Sequence, residues 1–201
     1  MTGAEAMAPD GRVAPGAHDR RILGIVVEIL ETEGYDAVQL REVARRARTS
    51  LATIYKHYGT RDGLILAALH MWLDENRYAG LTGQQRAAGE SFYDGQMRVL
   101  RTIFEPWERH PAMLKAYFQA RAAPGGEQLV RRGLDAVVPA FLQVLADVDE
   151  GFVADLDTVI TNVVYGLLGR FAAGEIASTE ILPSLERTVY WLSKGYESTQ
   201  R

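Results

Sequence analysis

There is no cysteine among the 201 residues, which excludes a disulfide, a thiolate nucleophile and any zinc site built on sulfur. Histidine is also scarce. His18, His57, His70 and His110 are scattered, and no His-Glu-x-x-His pair, phosphate-cradling loop, dinucleotide fingerprint or nucleophile elbow occurs. Asp147, Asp149 and Glu150 lie close together but lack the ligand spacing of a calcium loop. No catalytic residue, cofactor or metal is therefore expected, and the chain does not read as an enzyme. No apolar run approaches about 20 residues, and the N-terminus lacks a basic stretch followed by an apolar core. Neither a membrane span nor a secretory signal is expected, and the absence of cysteine agrees with a cytoplasmic setting. Strong net charge is missing too: 22 Lys and Arg against 26 Asp and Glu leave a formal charge of -4. Any surface for nucleic acid must then be a local one.

What is present is helical periodicity. A chain of this length, 47% apolar, can bury a substantial core in one or two domains. Residues 1–17 hold Gly, Ala and Pro with few large apolar groups and read as a disordered tail. Arg12, Arg20 and Arg21 also suit an arm or surface that follows phosphates. His18 to Glu33 carries Ile22, Leu23, Val26, Val27, Ile29 and Leu30 on one broad face, and Gly34 stops it.

The stretch Gln39 to Leu64, QLREVARRARTSLATIYKHYGTRDGL, organises the rest. Leu40, Val43, Ala44 and Ala47 recur at intervals of three and four, as the inner face of a short helix requires. Arg48-Thr49 interrupts the pattern. Ser50 can then cap a second helix, Leu51 to Tyr58, whose inward stripe is Leu51, Ile54 and Tyr58. Its other face offers Ala52, Thr53, Tyr55, Lys56 and His57, groups able to meet base edges or phosphates in a major groove. From Gln39 to Arg61 six Lys or Arg (Arg41, Arg45, Arg46, Arg48, Lys56, Arg61) face a single acid, Glu42. An arginine-rich amphipathic helix is by itself most often a solvated surface. Short helix, tight turn, capped second helix and a third helix start together point to a helix-turn-helix reader of DNA. The site read from this stretch is Arg41, Arg48, Ser50, Ala52, Thr53, Tyr55, Lys56, His57 and Arg61, with Arg41, Arg48, Lys56 and Arg61 chiefly on phosphates.

The same run resembles the N-terminal domain of the tetracycline-repressor (TetR) family of one-component regulators. Glu42-Val43-Ala44, Ser50, the block Ala52-Thr53-Ile54-Tyr55-Lys56-His57-Tyr58 and Thr60-Arg61-Asp62 follow the family pattern in order. The chain departs from it with Tyr58 where Phe is usual and with Arg48-Thr49 where Gly-Val is usual, and the resemblance thereby implies a left-handed backbone position for Arg48. The resemblance spans roughly Asp19 to Leu69, and more loosely it extends to the family's repressors of sterol or lipid catabolism. It implies an all-α protein: a three-helix helix-turn-helix domain over 18–62 and a larger helical effector-binding and dimerisation domain over 63–201. It also implies a homodimer on double-stranded DNA with an inverted-repeat operator, and a small, largely apolar effector.

The remaining sequence suits that layout. Thr60 can cap a helix carrying Leu64, Ile65, Ala68, Leu69, Trp72 and Leu73, which links the two domains. Ala79 to Gly89 reads as loop, followed by helices from Glu90 to His110, from Pro111, and from Glu127 to Val148, with bends predicted at Pro106 and Pro139. Phe92, Tyr93, Met97, Leu100, Phe104, Trp107, Tyr117, Phe118 and Phe141 either fill a core or line a cavity between these helices. Phe152 to Ala173 and a last helix from Ile181 are apolar, and the resemblance assigns Asp155 to Arg170 and Leu182 to Lys194 to the dimer interface. Within them Val159, Val163, Gly166, Leu167, Arg170, Leu182, Leu185, Val189 and Leu192 are the candidate contacts. Asn162 and Tyr165 suit the interface or the pocket rim. A helical ligand-binding or scaffold protein without a specific operator is the competing reading.

Overall fold

A computed structural model describes residues 16–199. The tail expected over 1–17 lies outside them, except Gly16 and Ala17, which open the first helix. Nine α-helices are found among the described residues, with no strand. The first, α1 (Ala17–Thr32), ends where Gly34 takes φ 90° and returns its N–H to Ile29 O at 2.9 Å. A 3-10 turn over Tyr35–Ala37 leads to α2 (Leu40–Arg46) and α3 (Leu51–Tyr58). Arg48 turns the chain between them at φ 48°, the left-handed position expected from sequence. Ser50 Oγ accepts from Thr53 N at 3.0 Å to start α3.

Next comes α4 (Arg61–Leu73), capped by Thr60 Oγ1 accepting from Gly63 N at 3.0 Å. A Cβ on Gly63 would stand 2.3 Å from Tyr58 O, so this tight passage from α3 into α4 needs glycine. Leu64, Ile65, Ala68, Leu69, Trp72 and Leu73 are buried, because α4 is packed by α1, α3 and α6 on different sides. Its last turn widens into a π-helical segment, Asp74–Tyr78, that sequence periodicity did not predict. Such widened turns are frequent at functional sites.

The larger half consists of α5 (Phe92–Arg109), α6 (Pro111–Arg121), α7 (Glu127–Val144), α8 (Glu150–Ala172) and α9 (Ile181–Thr199). Residues 79–91 contain no helix. Helices α5 and α7 run on through Pro106 and Pro139, each proline removing one helical N–H. Helix α7 stops at Val144, four residues earlier than expected, and Asp149 Oδ1 caps α8 by accepting from Phe152 N at 3.0 Å. One apolar core runs unbroken from Ile22 in α1 to Val189 in α9, so both halves share a packed interior. A smaller cluster of Phe92, Leu145 and Leu156 closes the far end. The expectation that nothing could span a membrane has one exception by composition: α8 is long and apolar enough, though little of it is buried. Its apolar residues divide between an internal cleft and an exposed face.

Candidate functional site

Helix α3 buries Ile54 and half-buries Leu51 and Tyr58, leaving Ala52, Tyr55, Lys56 and His57 outside. Tyr55 is 52% exposed, which water alone does not favour for so large a ring. Thr53 is half-buried and its hydroxyl sits 2.8 Å from Ser50 Oγ, so both belong to the cap that fixes the helix entry. His57 leans toward α1: its Nδ1 is 3.2 Å from Asp19 Oδ1, the oxygen that also accepts the Tyr58 hydroxyl at 3.1 Å. Burial and the Asp19 charge push the Tyr58 phenol well above its ordinary range.

The six cations of this stretch fall into two groups. Arg45 and Arg46 clamp Glu42, with Nε to oxygen distances of 2.8 and 2.6 Å, and Arg46 Nη1 reaches Glu33 at 2.7 Å. Their hydrogen bonds pull the Glu42 carboxyl down to about 2. Arg61 is not aimed outward as expected. Its guanidinium folds back over the Tyr35 ring at 4.8 Å and donates to Val38 O at 2.7 Å and Tyr35 O at 2.5 Å. Those carbonyls flank the 3-10 turn, and Tyr35 O also accepts from Val38 N at 3.3 Å, so Arg61 braces the turn between α1 and α2 and is not placed on a phosphate. The exposed side chains of Arg41, Arg48 and Lys56 make no ion pair or hydrogen bond within the described residues. These three cations surround Tyr55's helix and are open to solvent.

A second feature lies between α5, α6, α7 and α8: an open cleft of about 600 Å³. Helix α7 packs on α5 and α6 but barely on α8, and its Leu134, Val138 and Leu142 stay exposed along the opening. Of the residues expected to line a pocket, Leu100, Phe104, Trp107, Tyr117, Phe141 and Tyr165 do so. The others lie elsewhere. Phe92 stacks edge-on with Phe152 and Tyr196 in the smaller cluster, and Tyr93 meets Tyr190 and donates toward Glu186 at 3.3 Å. Met97 is fully buried in the core, Phe118 packs beside Phe171, and Asn162 is exposed with its amide on Thr158 O at 2.7 Å. Helical spacing put these side chains near the right elements but on the wrong faces. Among the described residues no cluster of His, Asp or Glu could hold a metal ion.

Comparison with known proteins identifies the arrangement. Residues 26–68 match the model for bacterial regulatory proteins of the tetR family, and residues 89–192 match the tetracyclin repressor-like C-terminal domain. The chain belongs to the TetR family. It is 29% identical over 121 residues to the HTH-type transcriptional repressor KstR of Mycolicibacterium smegmatis, a match covering 58% of each chain. With KstR of Rhodococcus jostii it shares 26% over 170 residues, covering 79% of this chain and 77% of the relative. The fold is that of a TetR-family regulator from Rhodococcus sp., with a TM-score of 0.60 at 19% identity, covering 89% of this chain and all of the other. A TetR-like regulator from Rhodococcus sp. RHA1 aligns with a TM-score of 0.58 at 18% identity, covering 89% and 97%.

Within this TetR-family chain, the late helices need a correction. Leu182, Leu185 and Val189 are buried inside the protomer, where α9 packs on α5 and α8, and Leu167 is buried as well. Val163 and Leu192 are half-buried, whereas Val159, Gly166 and Arg170 are exposed. The apolar surface of α9 is instead Tyr190 and Trp191, the latter 71% exposed. Sequence reasoning also missed Arg77 and Tyr78. They sit in a run, Asp74 to Tyr78, whose polarity reads as solvent, yet both line the cleft and Arg77 is 8% exposed.

Proposed function

We propose that the chain is a ligand-responsive, sequence-specific DNA-binding regulator that works as a homodimer on an inverted repeat and leaves it when a small, largely apolar molecule enters the cleft. The observation that carries this reading is the course of α4. Its capped first turn lies against the end of α3, and its π-helical continuation supplies Arg77 and Tyr78 to the cleft wall. A molecule bound at one end therefore displaces the helix that seats the reader at the other. The ligand acts by favouring the arrangement in which the two readers no longer match successive major grooves, about 34–36 Å apart. Repression is the mode supported by the name of the KstR relatives.

On DNA, Arg41, Arg48 and Lys56 serve phosphates while Ala52, Thr53 and Tyr55 approach base edges, with His57 beside them. The partner copy covers the exposed faces of α8 and α9, where Val159, Gly166, Tyr190 and Trp191 lie open. As a bacterial regulator of DNA it works in the cytoplasm. The test is selection from genomic DNA with the purified protein, followed by anisotropy at two salt concentrations. An enriched inverted repeat that binds a dimer and is lost with Tyr55→Ala is expected. Weak, sequence-independent binding would overturn the reading in favour of a helical ligand-binding module.

A further inference from the structure

Arg77 is held where an arginine is ordinarily not found. Its Nε donates to Ile103 O at 2.8 Å, and its guanidinium lies 4.2 Å over the Trp107 ring and 5.5 Å from that of Tyr78. No carboxylate pairs with it within the described residues, and the groups nearest it in charge are the phenols of Tyr78 and Tyr117. Burial lowers its pKa to about 10, which still leaves it positive at neutral pH. An isolated buried charge is costly unless something pairs with it. The hydrogen bond to Ile103 uses Nε alone. Nη1 and Nη2, the two ends suited to one carboxylate, have no hydrogen-bond partner within the described residues, on a side chain that lines the cleft.

The rest of the cleft is graded in charge. Arg121, half-exposed at the mouth, lies 5.7 Å over Tyr165 on the same side as Arg77 and Tyr117. The two acids of the lining, Glu150 and Asp157, are on the N-terminal part of α8. Asp157 precedes Tyr165 by eight residues, a rise of roughly 12 Å along the helix. Between the two ends the walls are Val137, Phe141, Ile160 and Val164. The cleft thus has a cationic end, an apolar middle and an acidic end that would repel the same anion.

We propose that the effector is an apolar carboxylic acid, its carboxylate docked on Nη1 and Nη2 of Arg77 and its hydrocarbon body laid along α7 and α8. This rests on the reading of the cleft as the effector site. The carboxylate supplies the counter-charge that the fold omits, so binding energy is concentrated on the π-helical turn at the end of α4. From there packed side chains lead to the reader's side of the molecule: Trp107 against Trp72 at 5.6 Å, Trp72 against His110 at 5.5 Å, and His110 Nδ1 at 2.6 Å from Glu31 on α1.

The experiment titrates the full chain with dodecanoate, dodecan-1-ol and methyl dodecanoate, by calorimetry and tryptophan fluorescence. The acid is expected to bind about tenfold tighter than its neutral counterparts. Arg77→Met should abolish that preference without weakening the alcohol, Arg77→Lys should keep part of it, and Arg121→Met should leave it in place. Should Arg77→Met fail to fold, the wild-type preference and the lysine variant decide. Equal binding of acid and alcohol to the wild type, or a preference that survives Arg77→Met, overturns the carboxylate assignment and leaves the cleft an apolar effector site. Failure of all three probes to bind overturns both.

Discussion

The reader and the cleft use the same side chain in opposite ways. At the reader, arginine and lysine stand in water, where salt screens a charge over about 8–10 Å and a cation of this kind attracts any phosphate without telling one from another. In the cleft a single arginine is out of water, where one charge discriminates strongly between an anion and a neutral molecule. Counting cations would have ranked the reader first for electrostatics. Location reverses the ranking, because Arg45, Arg46 and Arg61 are already occupied by neighbours while Arg77 has no carboxylate partner among the described residues.

The contrast can be broken most forcefully at Trp107, 2% exposed and shared by the core and the cleft. Trp107→Ala should destabilise the protein by about 3–5 kcal/mol in denaturant titrations; a loss near zero would mean the cleft floor is not part of the packed interior. Next come two cations expected to behave as opposites. Arg61→Ala should lower stability by about 2 kcal/mol and leave the salt dependence of DNA binding unchanged. Lys56→Ala should leave stability within about 0.5 kcal/mol and reduce the slope of log affinity against log salt by about 1.8 for the dimer, about 0.9 for each of its two copies. If Arg61 moves the slope, its role as a brace is wrong. Ser50→Ala removes the cap of α3 and should cost about 1 kcal/mol of stability, read by thermal melting. The smallest effect concerns Glu42, which is half-buried. Its carboxyl is held below the ordinary value of 4.5, down to about 2. Its contribution to stability is therefore complete above pH 4.5, declines progressively below it and is gone once pH has fallen through about 2. A carboxyl titration by NMR with its midpoint near 4.5 would dissolve the clamp and leave Arg45 and Arg46 free to add to the DNA-facing set.

Much of the reader was legible because its signals are local. A cap such as Ser50, a left-handed residue at Arg48 and a three-four stripe of Val43, Ala44 and Ala47 are decided within one turn of chain, and α2 and α3 fall where those signals place them. The cleft was legible only as a set of helices rich in aromatics. Periodicity tells which face of a helix is apolar, not what covers it. Hence Phe92 and Met97 went to cores, Leu185 and Val189 to the inside of the protomer, and Leu134 and Val138 to the open cleft. Arg61 was misread, and Arg77 overlooked, for the same reason. Each is polar in sequence, and each meets its partners, Tyr35 and Val38 or Ile103 and Trp107, across 23 or more residues of chain.

The turn at Arg48 has a consequence for how this protein can be improved. A side chain at φ 48° is strained by about 1 kcal/mol relative to glycine, and the strained residue is one of the three cations of this stretch that have no partner among the described residues. With Arg48 in the phosphate-binding role proposed above, robustness and grip on DNA are set against each other at one position: relaxing the hinge removes a positive charge, and keeping the charge keeps the hinge under tension. A laboratory selection for heat resistance alone would be expected to drift toward glycine there, and to yield proteins that outlast their parent while holding their operator less firmly.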